Sequence, residues 1–379
     1  MSSTYMPWAK QHSRSQYNLA TSGVAHWKLR DLPVRIEDLE ISGPSFYGYP
    51  PLQEALAKHC GVPQDRVVAA TGTSMANYLA LAATLNAGDD VLIESPTYEL
   101  ILAAASQIGA RVHRFTRTHE SGFALHPQTI ERAITSRTRL IVLSNLHNPS
   151  SAFTNESTML EIAKVAKRGG TRVLVDEVYL DAVFQGAPRS AALMGDHFIV
   201  TSSLTKVYGL SGLRCGWIVA APELAQKMWR LNDLFGVIPA HMAELASIIA
   251  LGELDRIREN VRARLDRNRA ALHRFFDSRP DLDVPRFPYG TIAFPKLLLP
   301  ARRSDNDQSR SSERGSAAAP GSAVDQLCGL LRTKYDTTVV PGKYFEMPDH
   351  FRIGIGGDLE PLEEGLRRLG LALDEMHSS

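Results

Sequence analysis

The chain has 379 residues and a formal net charge of +1, and 44% of its residues are hydrophobic while 22% are charged. This balance is ordinary for a globular protein, and it gives no sign of a nucleic-acid or membrane partner. The sequence contains no apolar run of about 18 residues and no apolar signal core in residues 1–20. Three widely spaced cysteines, Cys60, Cys215 and Cys328, have neither metal nor disulfide spacing. We therefore expect a cytoplasmic protein.

Short apolar segments alternate with longer helical patterns through the first half of the chain. In order, the pattern predicts a helix from about Pro51, a strand at 66–72, an N-capped helix at 73–86, a strand at 90–94, a helix at 96–109, a strand at 110–115, a helix at 126–135, a strand at 138–145, a helix at 155–170, and strands at 171–177, 197–200 and 216–221. Such alternation is typical of right-handed crossovers. It predicts an α/β fold with a mostly parallel, doubly wound sheet.

The pattern changes after Trp217. It predicts helices at 222–236, 241–254 and 254–278, a strand-like stretch at 288–299, a helix at 323–335, strands at 337–342 and 350–356, and a helix at 361–376. We predict a large domain over 44–275 and a smaller α+β domain over 276–379, with residues 1–43 packing against the small domain. Residues 301–323 are rich in Ser, Arg, Gly and Ala, and are predicted to form a flexible surface insertion.

Polar side chains follow the predicted parallel strands, at the edge where such sheets bind ligands. Lys206 lies among small and apolar residues, with the hydroxyl of Ser203 before it and Arg214 eight residues after it. Desolvation would lower the pKa of this lysine and make its amine a usable nucleophile. Asp176 closes an apolar strand, where a carboxylate needs a cationic or hydrogen-bonding partner.

Several other interpretations of these residues lack a required part. A nucleotide-hydrolase site needs a phosphate loop, but the one Gly-Lys pair, Gly342–Lys343, is followed by Tyr344. The S-x-x-K of Ser203–Lys206 has no K-T-G partner, and no GxSxG or HExxH motif occurs. One lysine, one aspartate and one arginine at strand ends instead suit a cationic aromatic ring that carries an aldehyde and a phosphate. The lysine would form an imine, the aspartate would pair with the ring nitrogen, and the arginine with a helix N-terminus would hold the phosphate.

The stretch from Ser203 to Trp217 matches the pattern S-x-[ST]-K-x-[FY]-G-x-x-G-x-R-x-G-[WY]. On this and other spaced motifs, the chain resembles the fold type I, class I/II aminotransferases, which use pyridoxal 5'-phosphate, from about Ser42 to Glu375. The resemblance implies that Lys206 is the Schiff-base lysine and proton carrier. It implies that Asp176 pairs with the pyridine nitrogen and that Tyr179 hydrogen-bonds the phenolic oxygen of the ring.

The resemblance also implies a further set of binding residues and a homodimer with shared active sites. These are Ser203 and Arg214 with the Gly72-Thr73-Ser74 loop at the phosphate, Tyr98 stacked on the ring, Asn148 at the phenolic oxygen and substrate, Arg352 at the substrate α-carboxylate, Gly23 near that carboxylate, and Tyr47 reaching the phosphate of the neighbouring subunit. Tyr49 is an alternative register for Tyr47.

We expect transfer of an amino group between an α-amino acid and a 2-oxo acid by a ping-pong mechanism. The alternative is elimination, replacement or cyclisation on a specialised amino acid, because the chain also resembles capreomycidine-synthase-like enzymes. A non-catalytic regulator of the same fold is a third hypothesis, although only some 40 residues precede the fold, too few for a DNA-binding domain. The SGVAHWKLRDLP segment departs from the common family pattern, and no second arginine marks a dicarboxylate substrate.

Overall fold

The computed structural model of the chain describes residues 3–12, 14–44, 47–186, 188–298 and 322–378. Residues 301–321 of the predicted insertion at 301–323 lie outside the described residues. The helices are α1 (Tyr5–His12), α2 (Pro50–Cys60), α3 (Thr73–Thr84), α4 (Glu99–Ile108), α5 (Pro127–Ala133), α6 (Glu156–Arg168), α7 (Pro222–Asn232), α8 (His241–Gly252), α9 (Leu254–Asp277), α10 (Ala323–Tyr335) and α11 (Leu359–Ser378). The strands are β1 (Tyr17–Asn18), β2 (Val67–Thr71), β3 (Asp90–Ser95), β4 (Arg111–Thr116), β5 (Thr138–Ser144), β6 (Arg172–Asp176), β7 (Phe198–Ser203), β8 (Cys215–Val219), β9 (Leu282–Asp283), β10 (Ile292–Ala293), β11 (Lys296–Leu297), β12 (Thr337–Thr338), β13 (Val340–Pro341) and β14 (Phe351–Gly354).

A seven-stranded sheet with the order β2-β8-β7-β6-β5-β3-β4 forms the centre of the fold. The neighbours from β7 to β4 are parallel, whereas β8 runs antiparallel to both β2 and β7. The predicted α/β fold with a mostly parallel sheet is therefore confirmed. Strands such as β5 and β6 are continuous runs of buried Leu, Ile and Val, because helices cover both faces of the sheet.

The antiparallel direction of β8 matters for the position of the site. Its register pairs Thr71 with Cys215 and Ser203 with Gly216. The start of β8 therefore lies at the same sheet edge as the ends of β2 and β7. This places Arg214, immediately before β8, beside the turns that follow those two strands.

A buried ion pair supports the turn after β5. The Glu94 carboxylate lies 2.9 Å from Arg117, and both side chains are fully buried. Glu94 also accepts hydrogen bonds from the backbone N–H of Ser144 at 2.7 Å and from its hydroxyl at 2.6 Å. The ion pair and these hydrogen bonds fix the end of β5, while desolvation of the buried carboxyl still raises the pKa of Glu94.

The N-terminal segment joins the strands of the C-terminal part of the chain. Strand β1 is parallel to β12, and the carbonyl of Leu19 accepts a hydrogen bond from Gly354 at the end of β14. Beyond it, Val24 donates its N–H to the carbonyl of Lys206 at 2.9 Å. Residues 17–24 thus bridge β14 and the turn after β7. The predicted domain boundaries stay predictions.

Helix α1 is an element that the sequence pattern does not predict. The Glu99 carboxylate caps its N-terminus, accepting from the backbone N–H of Thr4 at 2.9 Å and of Tyr5 at 2.8 Å. A carboxylate at this position satisfies N–H groups that have no partner within the helix. An eight-residue helix is marginal by itself, so this contact from α4, about 95 residues away, stabilises it.

Within the described residues, none of the helices is both long and apolar enough to cross a membrane.

Candidate active site

A cavity of about 320 Å³ lies at the carboxyl edge of the central sheet. Ten of the residues predicted for the site line it: Gly23, Thr73, Ser74, Tyr98, Asn148, Asp176, Tyr179, Lys206, Arg214 and Arg352. For the residues that end or follow the parallel strands, this placement follows from the topology, because the turns after such strands meet at one edge; these are Tyr98, Asn148, Asp176, Tyr179 and Lys206. A larger cavity of about 720 Å³, lined by Tyr47, Gln53 and Trp229 among others, holds none of those ten residues. The chemistry therefore points to the smaller cavity.

Lys206 follows β7 and extends from the floor of the smaller cavity. Its Nζ donates a hydrogen bond to the Ser22 hydroxyl at 3.1 Å. Desolvation lowers the pKa of the lysine, and the nearby Arg352 charge acts in the same direction. A lowered pKa increases the fraction of neutral amine, which is the nucleophilic and proton-accepting form.

Asp176 ends β6 and is buried. One carboxylate oxygen accepts from Asn77 Nδ2 at 2.8 Å, and the other accepts from the backbone N–H of Val178 at 3.1 Å. Burial raises the pKa of this carboxyl, whereas the two hydrogen bonds and the charge of Lys206 oppose that rise. The carboxylate would be stabilised further by a cation placed in the cavity beside it.

One end of the cavity is rich in anion-binding groups. Helix α3 has Gly72 as its N-cap and no side-chain cap, so its first-turn N–H groups remain available. Gly72 has a φ of +81°, and a Cβ there would collide with the guanidinium of Arg214. The hydroxyl of Ser203 lies 2.6 Å from that of Thr73 and 2.7 Å from that of Thr205.

Arg352 of β14 forms the opposite end of the cavity and is 1% exposed. Its Nη1 donates to Asn148 Oδ1 at 3.0 Å, and its Nη2 donates to the Tyr5 hydroxyl at 3.1 Å and to the Ala20 carbonyl at 3.2 Å. Its Nε is buried and has no hydrogen-bond partner among the described residues. A buried guanidinium with neutral partners and one unsatisfied N–H is suited to binding a carboxylate.

Three tyrosine side chains line the same cavity as Lys206. The rings of Tyr5 and Tyr98 meet edge to face at a centroid distance of 5.9 Å, and the Tyr98 hydroxyl donates to the sulfur of Met6 at 3.7 Å. Tyr179, beneath them, donates its hydroxyl proton to Ser22 at 2.8 Å. Burial raises the pKa of Tyr179, so this phenol remains protonated at neutral pH.

The cavity residues that the sequence interpretation misses include three whose side chains bond to predicted site residues: Tyr5, Ser22 and Asn77. Asn77 carries a detectable signal, since it is a polar residue on an otherwise apolar helix, one turn after Thr73. Ser22 and Tyr5 carry none, because they reach the cavity only through contacts with residues far along the chain.

Gly72 and Ser203 do not line the smaller cavity but contact the lining residues Arg214 and Thr73. Tyr47 lies away from it and lines the larger cavity. Its side chain is 54% exposed. Tyr49 lies close by and packs edge to face on His241 at 4.8 Å. The predicted role of Tyr47 concerns a neighbouring subunit and stays a prediction.

The cavity combines a buried lysine, a buried aspartate and the N-terminus of a helix, and such a set would suit a phosphorylated, cationic ring. The donor set fits this group, because Asp176 forms no ion pair with any described residue and the N-terminus of α3 has no side-chain cap. The sequence model of the family described as aminotransferase class I and II matches residues 37–369.

Similar proteins agree with this match. Capreomycidine synthase of Streptomyces vinaceus is 26% identical over 373 residues, which cover 94% of this chain and 90% of that protein. Arginine–pyruvate transaminase AruH of Pseudomonas aeruginosa is 26% identical over 323 residues, covering 83% and 76%. Among solved structures, a PLP-dependent aminotransferase from Streptococcus suis has a TM-score of 0.84 at 23% identity, covering 97% of this chain and 96% of that one. The PLP-dependent cyclase OrfR also has a TM-score of 0.84 at 23% identity, covering 99% and 98%.

The chain belongs to the aminotransferase class I and II family, and it has the fold type I architecture of pyridoxal-phosphate enzymes. The predictions of this family, of the fold and of pyridoxal 5'-phosphate as the cofactor are thereby confirmed.

Proposed function

We propose that this enzyme transfers an amino group between an α-amino acid and a 2-oxo acid. The observation that carries the proposal is the shared cavity of Lys206, Asp176, Arg214 and Arg352. These residues supply an amine, a buried acid, a phosphate-binding cation and a carboxylate-binding cation. An amino acid and its 2-oxo acid have the α-carboxylate in common, so one buried arginine serves both half-reactions.

The residues at the two ends of the cavity would hold the cofactor. We assign the phosphate to the α3 N-terminus, Arg214 and the hydroxyls around Ser203, including Thr73 and Ser74. We assign the ring nitrogen to Asp176, the ring face to Tyr98, and the phenolic oxygen to Tyr179 and Asn148. When bound, the cofactor supplies an aldehyde for the amine of Lys206 and a ring that withdraws electrons.

Lys206 moves the proton in this proposal. Its Nζ, with a lowered pKa, accepts the proton from the substrate α-carbon and later returns a proton for product formation. Arg352 binds the α-carboxylate and fixes the orientation of the substrate, and Gly23 leaves room beside Lys206 for it. The aromatic rings of Tyr5 and Tyr98 exclude water from the reacting atoms.

Absorbance spectroscopy tests this function. Wild-type enzyme loaded with cofactor should absorb near about 400 nm, and the Lys206→Ala variant should lack that band. An amino-acid donor should remove the wild-type band, and a 2-oxo acid should restore it. A band that donors remove but no 2-oxo acid restores would overturn amino-group transfer while leaving cofactor binding intact.

Cyclisation or elimination on a specialised amino acid is the second candidate. The observation that favours it is the similarity to capreomycidine synthase over 94% of this chain. A guanidinium-bearing substrate would pair with a carboxylate in the cavity. Asp176 is the one carboxylate among the described residues that line it. Incubation with arginine-like donors and mass spectrometry would separate the two reactions, because cyclisation or elimination changes the carbon skeleton or side chain, whereas transfer yields a 2-oxo acid.

The proposal includes a homodimer in which Tyr47 reaches the phosphate of the partner subunit. It is supported by the exposure of Tyr47 and of the apolar side chains Leu234, Phe235 and Val237. Mixing Lys206→Ala subunits with Tyr47→Ala subunits tests it, since a hybrid would contain one intact site. Random mixing should recover roughly a quarter of wild-type activity from two weak parents. A monomeric mass for the active, loaded enzyme would contradict it.

A further inference from the structure

Ser22 connects two predicted site residues that come from different strands of the sheet. Its hydroxyl is the hydrogen-bond partner of Lys206 Nζ at 3.1 Å and of the Tyr179 hydroxyl at 2.8 Å. The residue is 6% exposed and lines the cavity. Lys206 follows β7 and Tyr179 follows β6, whereas Ser22 belongs to the N-terminal segment.

The chain holds this hydroxyl in place from two sides. The Ser22 carbonyl accepts a hydrogen bond from the fully buried Thr291 hydroxyl at 2.8 Å. The next residue, Gly23, lies so close to Lys206 that a Cβ there would be 3.2 Å from the lysine carbonyl. Val24 then donates its N–H to the same carbonyl at 2.9 Å. The position of Ser22 relative to Lys206 is therefore set by the backbone on both sides of it.

A serine hydroxyl suits this position because it can accept two hydrogen bonds and donate one. It accepts from Lys206 when the amine is protonated, and it can donate to the amine when the amine is neutral. The contact therefore survives both protonation states of Nζ. The oxygen also engages the Tyr179 proton, which would otherwise be free to bind another acceptor in the cavity.

We propose that Ser22 is a positioning residue for Lys206, which orients the lysine nitrogen, stabilises its protonated form and restrains the Tyr179 hydroxyl. The proposal rests on the proposed function, because it concerns the nitrogen that joins the cofactor. No proton is consumed in this role: Ser22 exchanges hydrogen-bond donor and acceptor roles as Lys206 gains or loses its proton.

The test is a pH titration of the absorbance band of cofactor-loaded enzyme, in wild type and in Ser22→Ala. Loss of the hydroxyl removes an acceptor from the protonated nitrogen and releases the Tyr179 proton to stabilise negative charge in the cavity. Both changes favour loss of the proton from the Lys206 nitrogen. The midpoint of the titration should fall by about one pH unit, the size expected for one hydrogen bond to a charged group. The rate of a single turnover should fall about tenfold, while substrate binding through Arg352 changes little.

Two variants serve as controls for the loss of the hydroxyl. Ser136→Ala removes an exposed serine hydroxyl that does not line the cavity, and its midpoint should match wild type. Thr291→Val removes the anchor of the Ser22 carbonyl but keeps the Ser22 hydroxyl, and its midpoint should move by less than half of the Ser22→Ala shift. If the titration midpoint of Thr291→Val shifted as far as that of Ser22→Ala, the effect would come from the position of the backbone around Ser22 and not from its hydroxyl. That result would overturn the proposal.

Two further outcomes are distinguishable. A Ser22→Ala midpoint equal to that of wild type would overturn the role of Ser22 and leave the proposed function standing. A wild-type enzyme that shows no band with the cofactor would overturn the proposed function, and the role of Ser22 would fall with it.

Discussion

The two walls of the cavity are built in different ways. One wall, here the strand-end wall, consists of the turns that follow β3, β5, β6 and β7 and the N-terminus of α3. The other, here the cap wall, consists of α1, residues 19–24 and β14. The strand-end wall carries Lys206 and Asp176. In the cap wall, Nη2 of Arg352 lies 3.1 Å from the hydroxyl of Tyr5, although the two residues are 347 positions apart in sequence.

This difference in construction suggests that the two walls have different roles in the proposed reaction. The strand-end wall provides the groups that would react and hold the cofactor, and its core strands are almost completely buried. The cap wall would provide the site for the substrate carboxylate at Arg352, and it includes the short helix α1, whose N-terminus the Glu99 carboxylate caps. We expect substitutions in the strand-end wall to affect kcat and those of Arg352 and Tyr5 in the cap wall to affect KM. Ser22 is the exception in the cap wall, because its hydroxyl contacts Lys206, and its loss should lower the rate.

The largest expected effect is that of Lys206→Ala. Because the amine is the proposed proton carrier, the rate of amino-group transfer should fall by at least about 10⁴-fold. Single-turnover kinetics with a reactive donor would measure it, and added methylamine should restore part of the rate. Lys58→Ala, a change of an exposed lysine on α2, should retain full activity. Substantial turnover by Lys206→Ala would contradict the assignment.

Arg352→Gln should have the next largest effect, and it tests the cap wall. The variant loses the charged partner of the α-carboxylate, so KM for both amino acid and 2-oxo acid should rise about 100-fold. The absorbance band of the loaded enzyme should stay, in contrast to Lys206→Ala. Arg262→Gln, a change of a half-exposed arginine on α9, is the matched control. An Arg352→Gln variant with normal KM and low kcat would break the proposed division between the walls.

Tyr5→Phe should have a smaller effect on the same wall. It removes the hydroxyl that accepts a hydrogen bond from the charged Arg352 and keeps the aromatic contact with Tyr98. KM should rise about tenfold, with kcat nearly unchanged, as expected for one hydrogen bond to a charged group. Steady-state kinetics with a series of donors would measure it. No change for any donor would mean that α1 does not contribute to the carboxylate site.

The smallest expected effect concerns stability in the strand-end wall. Burial raises the pKa of Glu177 to about 7, against the opposing hydrogen bonds from Ser190 and Ala191. The unfolded state loses this proton near its ordinary value of about 4.3. The folded state therefore binds more protons between these values, and the stabilising contribution is present below that range and is lost as the pH rises through about 7.

Glu177→Gln should remove this pH dependence. Between pH 5 and 7, the free energy of unfolding of the wild type should fall relative to the variant by about 1 kcal/mol per pH unit. Urea denaturation of both cofactor-free proteins at several pH values would measure the difference. Glu360→Gln, at an exposed site on α11, should leave the slope unaltered. Parallel stability curves for Glu177→Gln and wild type would show that Glu177 titrates normally.

The strand-end wall could be predicted because short-range patterns encode it. A run such as RVLVD reads as a buried strand, and the residue at its end must then lie at the ligand-binding edge. Lys206, Asp176, Asn148 and Tyr98 all line the cavity as that rule requires. Their proposed roles came from the family resemblance, and they await the experiments above.

The cap wall could be predicted only in part. The FRIG motif pointed to Arg352, but α1 has no clear amphipathic pattern, and its cap is a side chain from another helix. Ser22 lies in a segment without hydrophobic periodicity. Its role could not be predicted, because it depends on hydrogen bonds with Lys206 and Tyr179 that only the structure shows.

By itself, then, the sequence determined the sheet, its ligand-binding edge, the family and the cofactor, because hydrophobic periodicity and spaced motifs are local properties of the chain. The tertiary structure alone decided that helix α1 and residues 17–24 lie at that edge, that Ser22 meets the lysine amine, and that Tyr5 meets Arg352. These contacts join segments far apart in sequence. They depend on single hydrogen bonds in a buried setting, and such contacts leave no periodic trace in the order of the residues.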